Sequence, residues 1–221
     1  MGTITLKDIR DDERINCYME MGDANLAALG FTEHGKRHAR LTAGIAANIL
    51  EELGYTKREQ ELAAIAGYLH DIGNVVNRVN HDVASALLTE QILYSRGMCP
   101  SDIAIIIGAI GNHDEGEGFP VSAISAATII ADKSDVHRSR VREKDKALFD
   151  IHDRVNYASE ASHVFVDAEN KLISLKIKID TEMVSVMDYF EIFLDRMNMC
   201  RRAAKALGCN FNLTINETRL L

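Results

Sequence analysis

The 221-residue sequence contains no tryptophan, only two prolines and only four cysteines. The cysteines, Cys17, Cys99, Cys200 and Cys209, form no CxxC pair. That speaks against a zinc ribbon or a disulfide framework and fits a reducing compartment. Both prolines, Pro100 and Pro120, fall between segments of helical spacing. A long apolar run is missing as well. The longest, Ile103 to Gly111, is far below the roughly 20 residues that a bilayer-spanning helix needs. A basic balance is also absent: 25 basic against 33 acidic residues leave a net charge of −8. This argues against a general binder of nucleic-acid polymers or membrane surfaces. The opening MGTITL lacks the regions of a signal peptide, and Leu6 stands where a myristoylation pattern needs Ser or Thr. The expected location is the cytoplasm.

A hydrophobic fraction of 47% supplies an ordinary globular core. The length fits one sizeable domain, or one domain with a smaller appendage. Apolar spacing predicts helices over about residues 12–29 and 34–53, the second carrying Leu41, Ile45, Ile49 and Leu53 and stopping at Gly54. Thr56-x-x-Glu59 is a capping box that opens a third helix, with Leu62, Ile65, Ala66 and Leu69 leading to His70. A fourth is expected from His81 to Tyr94. Ser101 is the expected N-cap of a fifth, central helix, DIAIIIGAIGN. After the glycine-rich loop EGEGFP, Ser122 is expected to cap a long sixth helix through AISAATIIADKSDVHRSRVREK.

Beyond about residue 155 the period changes. Leu175, Ile177 and Ile179 alternate with Lys176 and Lys178, the strand period of two. MVSVMDYFEIFLDRMNMCRRAAKAL returns to helical spacing before Gly208, and Phe211, Leu213 and Ile215 alternate again. The expected fold is therefore mainly α: a helical domain over 1–155 and a small α+β appendage over 156–221, ordered strand–strand–helix–strand. A free strand edge there would offer a contact for a homodimer.

The polar residues on this apolar framework stand out. His38 lies on the second helix, His70 and Asp71 end the third, His81 opens the fourth, His113 ends the fifth and Asp132 lies in the sixth. His38 to His70 and His81 to His113 are both steps of 32 residues. One helix–turn–helix step of that size lets successive helices deliver a ligand to one point of a bundle core. Singly, each residue has an ordinary reading, as a half-exposed histidine, a helix C-terminal histidine or a solvated charge. Yet Asp132 follows AATIIA and His70 follows AAIAGYL, and an unpartnered polar group on such a face is costly. Imidazole and carboxylate without thiolate suit divalent Fe, Mn, Ni, Co or Zn better than a closed structural zinc site.

The ordered set RHARL, LHDIG and IIADKSD resembles the HD-domain superfamily of metal-dependent phosphohydrolases, over roughly residues 30–140. The resemblance implies an HD-type helical bundle with His38, His70, Asp71 and Asp132 as metal ligands. NHDVASALL and IGNHDEGEGFP resemble the branch with additional histidines. There His81 and His113 would hold a second ion, or else support the first. Asn74, Asn112 and an incomplete glycine turn depart from the HD-GYP pattern of cyclic-dinucleotide phosphodiesterases. The implied activity is hydrolysis of a nucleotide or another small phosphate ester by metal-activated water, with Asp71 as the catalytic carboxylate reaching both ions. The implied cofactor is one or two divalent ions. For substrate contacts, Lys133 and Arg78 rank first, ahead of Arg37, Arg40, Arg138, Arg140 and Arg142, because both adjoin the ligand segments. The alternative is a catalytically silent HD domain that binds a nucleotide-like ligand for signalling. Neither a membrane nor a nucleic-acid polymer is an expected partner.

Overall fold

The computed structural model describes residues 4–220. The reading of the opening MGT therefore lies outside the described residues. The six expected helices are realised as α2 (Glu13–Ala28), α3 (Lys36–Glu52), α4 (Lys57–Leu69), α5 (His81–Ser95), α6 (Pro100–Ile110) and α7 (Ala123–Lys133), and two further helices, α1 (Leu6–Arg10) and α8 (Ile151–Ala158), flank them. The β-type segments form β1 (Ser159–Asp167), β2 (Leu172–Ile179), β3 (Asn210–Ile215) and β4 (Thr218–Arg219), with α9 (Val186–Ala206) between β2 and β3. The mainly helical fold with a C-terminal strand–strand–helix–strand unit is thus present, lengthened by the two-residue β4.

Local chemistry accounts for most helix ends. Thr56 and Glu59 form the capping box that opens α4. Thr5 and Asp8 form another at α1, a helix too short for apolar spacing to mark. Two expected boundaries move. The fifth helix starts at Pro100 with Cys99 as N-cap, so Ser101 lies inside its first turn. Proline suits that first position because its φ is already helical and its missing N–H would have had no partner. The sixth helix, α7, stops at Lys133 instead of running on through HRSRVREK. A short 3-10 helix, Arg138–Arg140, follows, and the Arg140 guanidinium donates to Asp135 O at 2.8 Å and Glu33 O at 3.1 Å. Local spacing permitted a longer helix, but burial of Val136 and Arg140 and these tertiary bonds turn the chain inward.

The sheet order is β1-β2-β3-β4. β1 and β2 pair antiparallel, β2 and β3 parallel across α9, and β3 and β4 antiparallel. Ile173, Leu175, Ile177 and Ile179 are buried while Lys176 and Lys178 are exposed, as a half-buried strand requires. α9 turns Tyr189, Phe193, Met197, Cys200 and Ala203 inward and packs on both α7 and β3. Buried side chains of α3, α4, α7, α9 and the sheet form one contiguous apolar cluster. Among the described residues, no helix is long and apolar enough to cross a membrane.

Candidate metal centre

Two close approaches bring the polar residues together. α3 and α4 meet where Gly67 faces Ala43: a Cβ there would come within 3.0 Å of Thr42 O. Lacking one, the two helices approach closely, and His38 in the first turn of α3 reaches His70, the residue that caps α4. Asp71 then leads into a 3-10 turn, Ile72–Val75. At Gly73 a Cβ would overlap the backbone of His81 and Ser85, and the Gly73 N–H donates to Ser85 Oγ at 2.7 Å. The turn is thereby seated on the start of α5, which places His81 beside Asp71. His113 follows α6, and Asp132 comes from the last turn of α7.

All six candidate ligands converge. His38 Nε2 lies 3.1 Å from His70 Nε2 and 3.2 Å from Asp132 Oδ1. Asp71 Oδ2 is 3.4 Å from His70 Nε2 and 3.8 Å from His38 Nε2. The other oxygen, Oδ1, is 3.2 Å from His81 Nε2 and 3.8 Å from His113 Nε2, and those two nitrogens are 3.1 Å apart. The Asp71 carboxylate therefore turns one oxygen to each pair of histidines.

The far side of each imidazole sets its tautomer. Nδ1 of His70 donates to Gly67 O at 2.8 Å, that of His113 to Ile110 O at 2.6 Å, and that of His81 to Arg78 O at 3.1 Å. A carbonyl can only accept, so the proton sits on Nδ1 and the Nε2 lone pair points into the cluster. His38 Nδ1 is held in the same way by Asp135 Oδ2 at 2.7 Å. Four inward lone pairs and two carboxylates, all but enclosed, are a donor set for a cation. Asp71 Oδ2 is buried with no hydrogen-bond partner, a costly state for a carboxylate oxygen unless an ion meets it. Three overlapping His/Asp groups, His38–His70–Asp71, His70–His113–Asp132 and Asp71–His81–His113, can each hold a metal. The residues present fit one or two divalent ions.

Electrostatics points the same way. Burial opposes a charge on His70, yet Asp71 and Asp132 outweigh it and raise the imidazole to about 10. A proton there does for the carboxylates what a divalent ion would do. Burial, aided by His70 and Lys133, pushes His113 down to about 3, so its Nε2 remains a free donor. Burial also works against the Asp71 and Asp132 charges. It is overcome at Asp71 chiefly by His70 and at Asp132 chiefly by Lys133, and both carboxyls stay well below the usual range.

The expected substrate cations divide. Lys133 and Arg78 line the pocket over the cluster. Lys133 Nζ is 2.7 Å from Asp132 Oδ2, and Arg78 Nη1 is 3.2 Å from His81 Nε2. Arg140 also lines the pocket, with its donors committed to backbone carbonyls. The others do not line it: Arg37 forks onto Asp135 at 3.2 and 2.8 Å, Arg138 pairs with Glu160, Arg142 bonds Asp23 and Phe31 O, and Arg40 is exposed.

A reading of the sequence misses His34, Asp114 and Arg196, which line the pocket, and Asp135 and Glu115, which pair with residues that form the site. Asp135, which orients His38, lies one helical turn past Asp132 within IIADKSD, and that spacing is a usable signal. His34 lines the pocket with Nδ1 on Thr32 O at 2.7 Å. Burial first, and the Arg140 charge next, hold its imidazole well below the ordinary range. Glu115 pairs with Lys133 at 3.3 Å and with Arg196 at 2.7 Å. Arg196 comes from α9, far along the chain, with no local pattern to announce it.

The family model of the HD domain matches residues 36–164, more than half of the chain. An uncharacterized protein of Methanocaldococcus jannaschii, MJ1020, is 27% identical over 195 residues, covering 77% of this chain and 74% of the relative. Among solved structures, a predicted HD superfamily hydrolase from an uncultured Thermotogales bacterium shares 21% identity at a TM-score of 0.45, covering 56% of this chain and 67% of that one.

Proposed function

The chain belongs to the HD domain family, and on that footing we propose that it is a metal-dependent phosphohydrolase acting on a nucleotide or another small phosphate ester. The observation that carries this reading is the Asp71 carboxylate, with Oδ2 toward His38 and His70 and Oδ1 toward His81 and His113. His38, His70, Asp71 and Asp132 would hold one ion, and His81 and His113 a second that shares Asp71. Such ions, once bound, supply water acidified from about 15.7 toward about 7 and draw charge from a phosphate oxygen. Histidine and carboxylate donors accept Fe, Mn, Co, Ni or Zn, with occupancy following availability.

The remaining work falls to the chain's own side chains. Gly67 O, Ile110 O, Arg78 O and Asp135 hold the four imidazoles with Nε2 inward, so no reorientation is needed when an ion or substrate arrives. Lys133 and Arg78 present positive charge to a phosphate. Among the described residues no serine or cysteine lines the pocket, and Cys200 is buried, which pushes its thiol up to about 12.

Elemental analysis of protein purified without added metal, followed by a hydrolysis screen over nucleotides, dinucleoside polyphosphates and cyclic dinucleotides, tests the proposal. About two metal equivalents and turnover of at least one phosphate ester are expected. His81→Ala should leave about one equivalent, and Asp71→Asn should abolish turnover with the helical circular dichroism retained. A folded protein with neither metal nor turnover, yet with affinity for a nucleotide, would replace this reading with a silent ligand-binding domain.

A further inference from the structure

His81 is gripped at both ends by one residue. Its Nδ1 donates to the Arg78 carbonyl at 3.1 Å, and its Nε2 accepts from Arg78 Nη1 at 3.2 Å. The second contact falls on a crowded lone pair. Two further acceptors stand around His81 Nε2: His113 Nε2 at 3.1 Å and Asp71 Oδ1 at 3.2 Å. Acceptors drawn this close together need a donor or a cation among them. Among the described residues Arg78 is the one cationic side chain bonded to this trio, and its Nη1 is also 3.9 Å from Asp71 Oδ1.

The other half of the cluster is built differently. His38 Nε2 and His70 Nε2 lie 3.2 and 3.6 Å from Asp132 Oδ1, whereas Lys133 Nζ meets the other oxygen, Oδ2, at 2.7 Å. Asp71 Oδ2, the carboxylate atom on that side, has no hydrogen-bond partner at all. Lys133 therefore supports a ligand and leaves its inward atom open, while Arg78 engages an inward atom directly. The Arg78 guanidinium also lies over the ring of the exposed Phe31, 5.8 Å from its centroid. Turning further onto that ring would keep a cation–π contact and leave the Arg78 carbonyl on His81 Nδ1. Only the side chain has to move.

Resting on the two-ion reading of the centre, we propose that Arg78 and the second ion compete for His81 Nε2, so that Arg78 sets the order and the unequal affinity with which the two ions bind. An imidazole nitrogen has one lone pair and cannot serve an N–H donor and a metal at once. An ion at His38, His70, Asp71 and Asp132 displaces no such donor. An ion at His81 and His113 displaces a hydrogen bond from a charged guanidinium, one of the stronger kinds. The second position is therefore the weaker and fills after the first.

The test uses the full-length protein, freed of metal with a chelator and titrated with manganese(II) by calorimetry and by chelator competition. The parent should give two unequal constants. Arg78→Met keeps the length of the side chain and removes the donor, and residue 78 still offers its carbonyl to His81. It should tighten the weaker constant by about ten-fold or more, the scale of a charge-assisted hydrogen bond. The tighter constant should stay within about two-fold, as independent sites do. A diffuse loss of positive charge would move both constants, and His81→Ala tells the two causes apart: in that background Arg78→Met should leave the one remaining constant unmoved. A second equivalent that appears only in the Arg78→Met protein supports the proposal as the tightening does. A weaker constant that Arg78→Met leaves unmoved or weakens further, or a tightening that persists in the His81→Ala protein, overturns the proposal while the two-ion centre stands. At most one equivalent in both the parent and the Arg78→Met protein overturns the two-ion reading and the proposal with it.

Discussion

Asp135 shows how much of the centre rests on a single side chain outside the ligand set. Its Oδ2 accepts from His38 Nδ1 at 2.7 Å, and the Arg37 fork and the Arg140 charge surround it. Burial alone would raise this carboxyl. The His38 bond and the Arg140 charge outweigh burial and hold the carboxyl well below the ordinary range. A charged acceptor behind His38 makes the imidazole a stronger donor toward a cation, and loss of such a partner typically costs about 10–100-fold in metal affinity. Asp135→Asn should lower affinity by that factor, read by competition with a chelator, while far-ultraviolet circular dichroism stays the same. Unchanged affinity would mean that His38 needs no charged support.

At the scale of elements, the decisive feature is the seat of the Ile72–Val75 turn on α5. Gly73 has no room for a Cβ, because the backbone of His81 and Ser85 occupies that space. Backbone cannot move aside as a flexible side chain would. Overpacking a core costs about 1–3 kcal/mol, and Gly73→Ala should sit at or above the upper end. For a chain of this length, 3 kcal/mol corresponds to a Tm drop of about 6–12 °C, measurable by calorimetry. The same substitution separates Asp71 from His81, so metal stoichiometry should fall with it. A Tm within a degree of the parent would show that turn and helix do not pack as described.

The whole molecule is joined at the site by Glu115, which links the loop after α6 to Lys133 on α7 and Arg196 on α9. Burial penalises its charge, but Lys133 and Arg196 more than compensate and lower the carboxyl from 4.5 to about 2. A carboxyl depressed in the folded state contributes stability above its unfolded pKa and loses it as pH falls through the folded value. The contribution should be complete above about pH 4.5 and disappear toward pH 2. Glu115→Gln should therefore be less stable than the parent in urea at pH 7, with the gap closing as pH is lowered through that window. A gap that stays constant with pH would remove the ionic link between α9 and the helices.

Fold class, most helices and all six candidate ligands are legible along the chain. Capping boxes, apolar spacing and strand alternation are local signals, and burying an imidazole or carboxylate without a partner is costly wherever the chain leads. Four facts are settled only in three dimensions. α7 stops at Lys133 because Arg140 finds the carbonyls of Glu33 and Asp135. Asp71 faces two histidine pairs because Gly67 and Gly73 let backbones approach. His38 points inward because Asp135 holds its other nitrogen. Arg196 reaches the pocket because α9 packs on α7. Residue type and spacing determined which groups could bind a cation. Packing decided which atoms face one another, since orientation comes from contacts between segments that are distant in sequence.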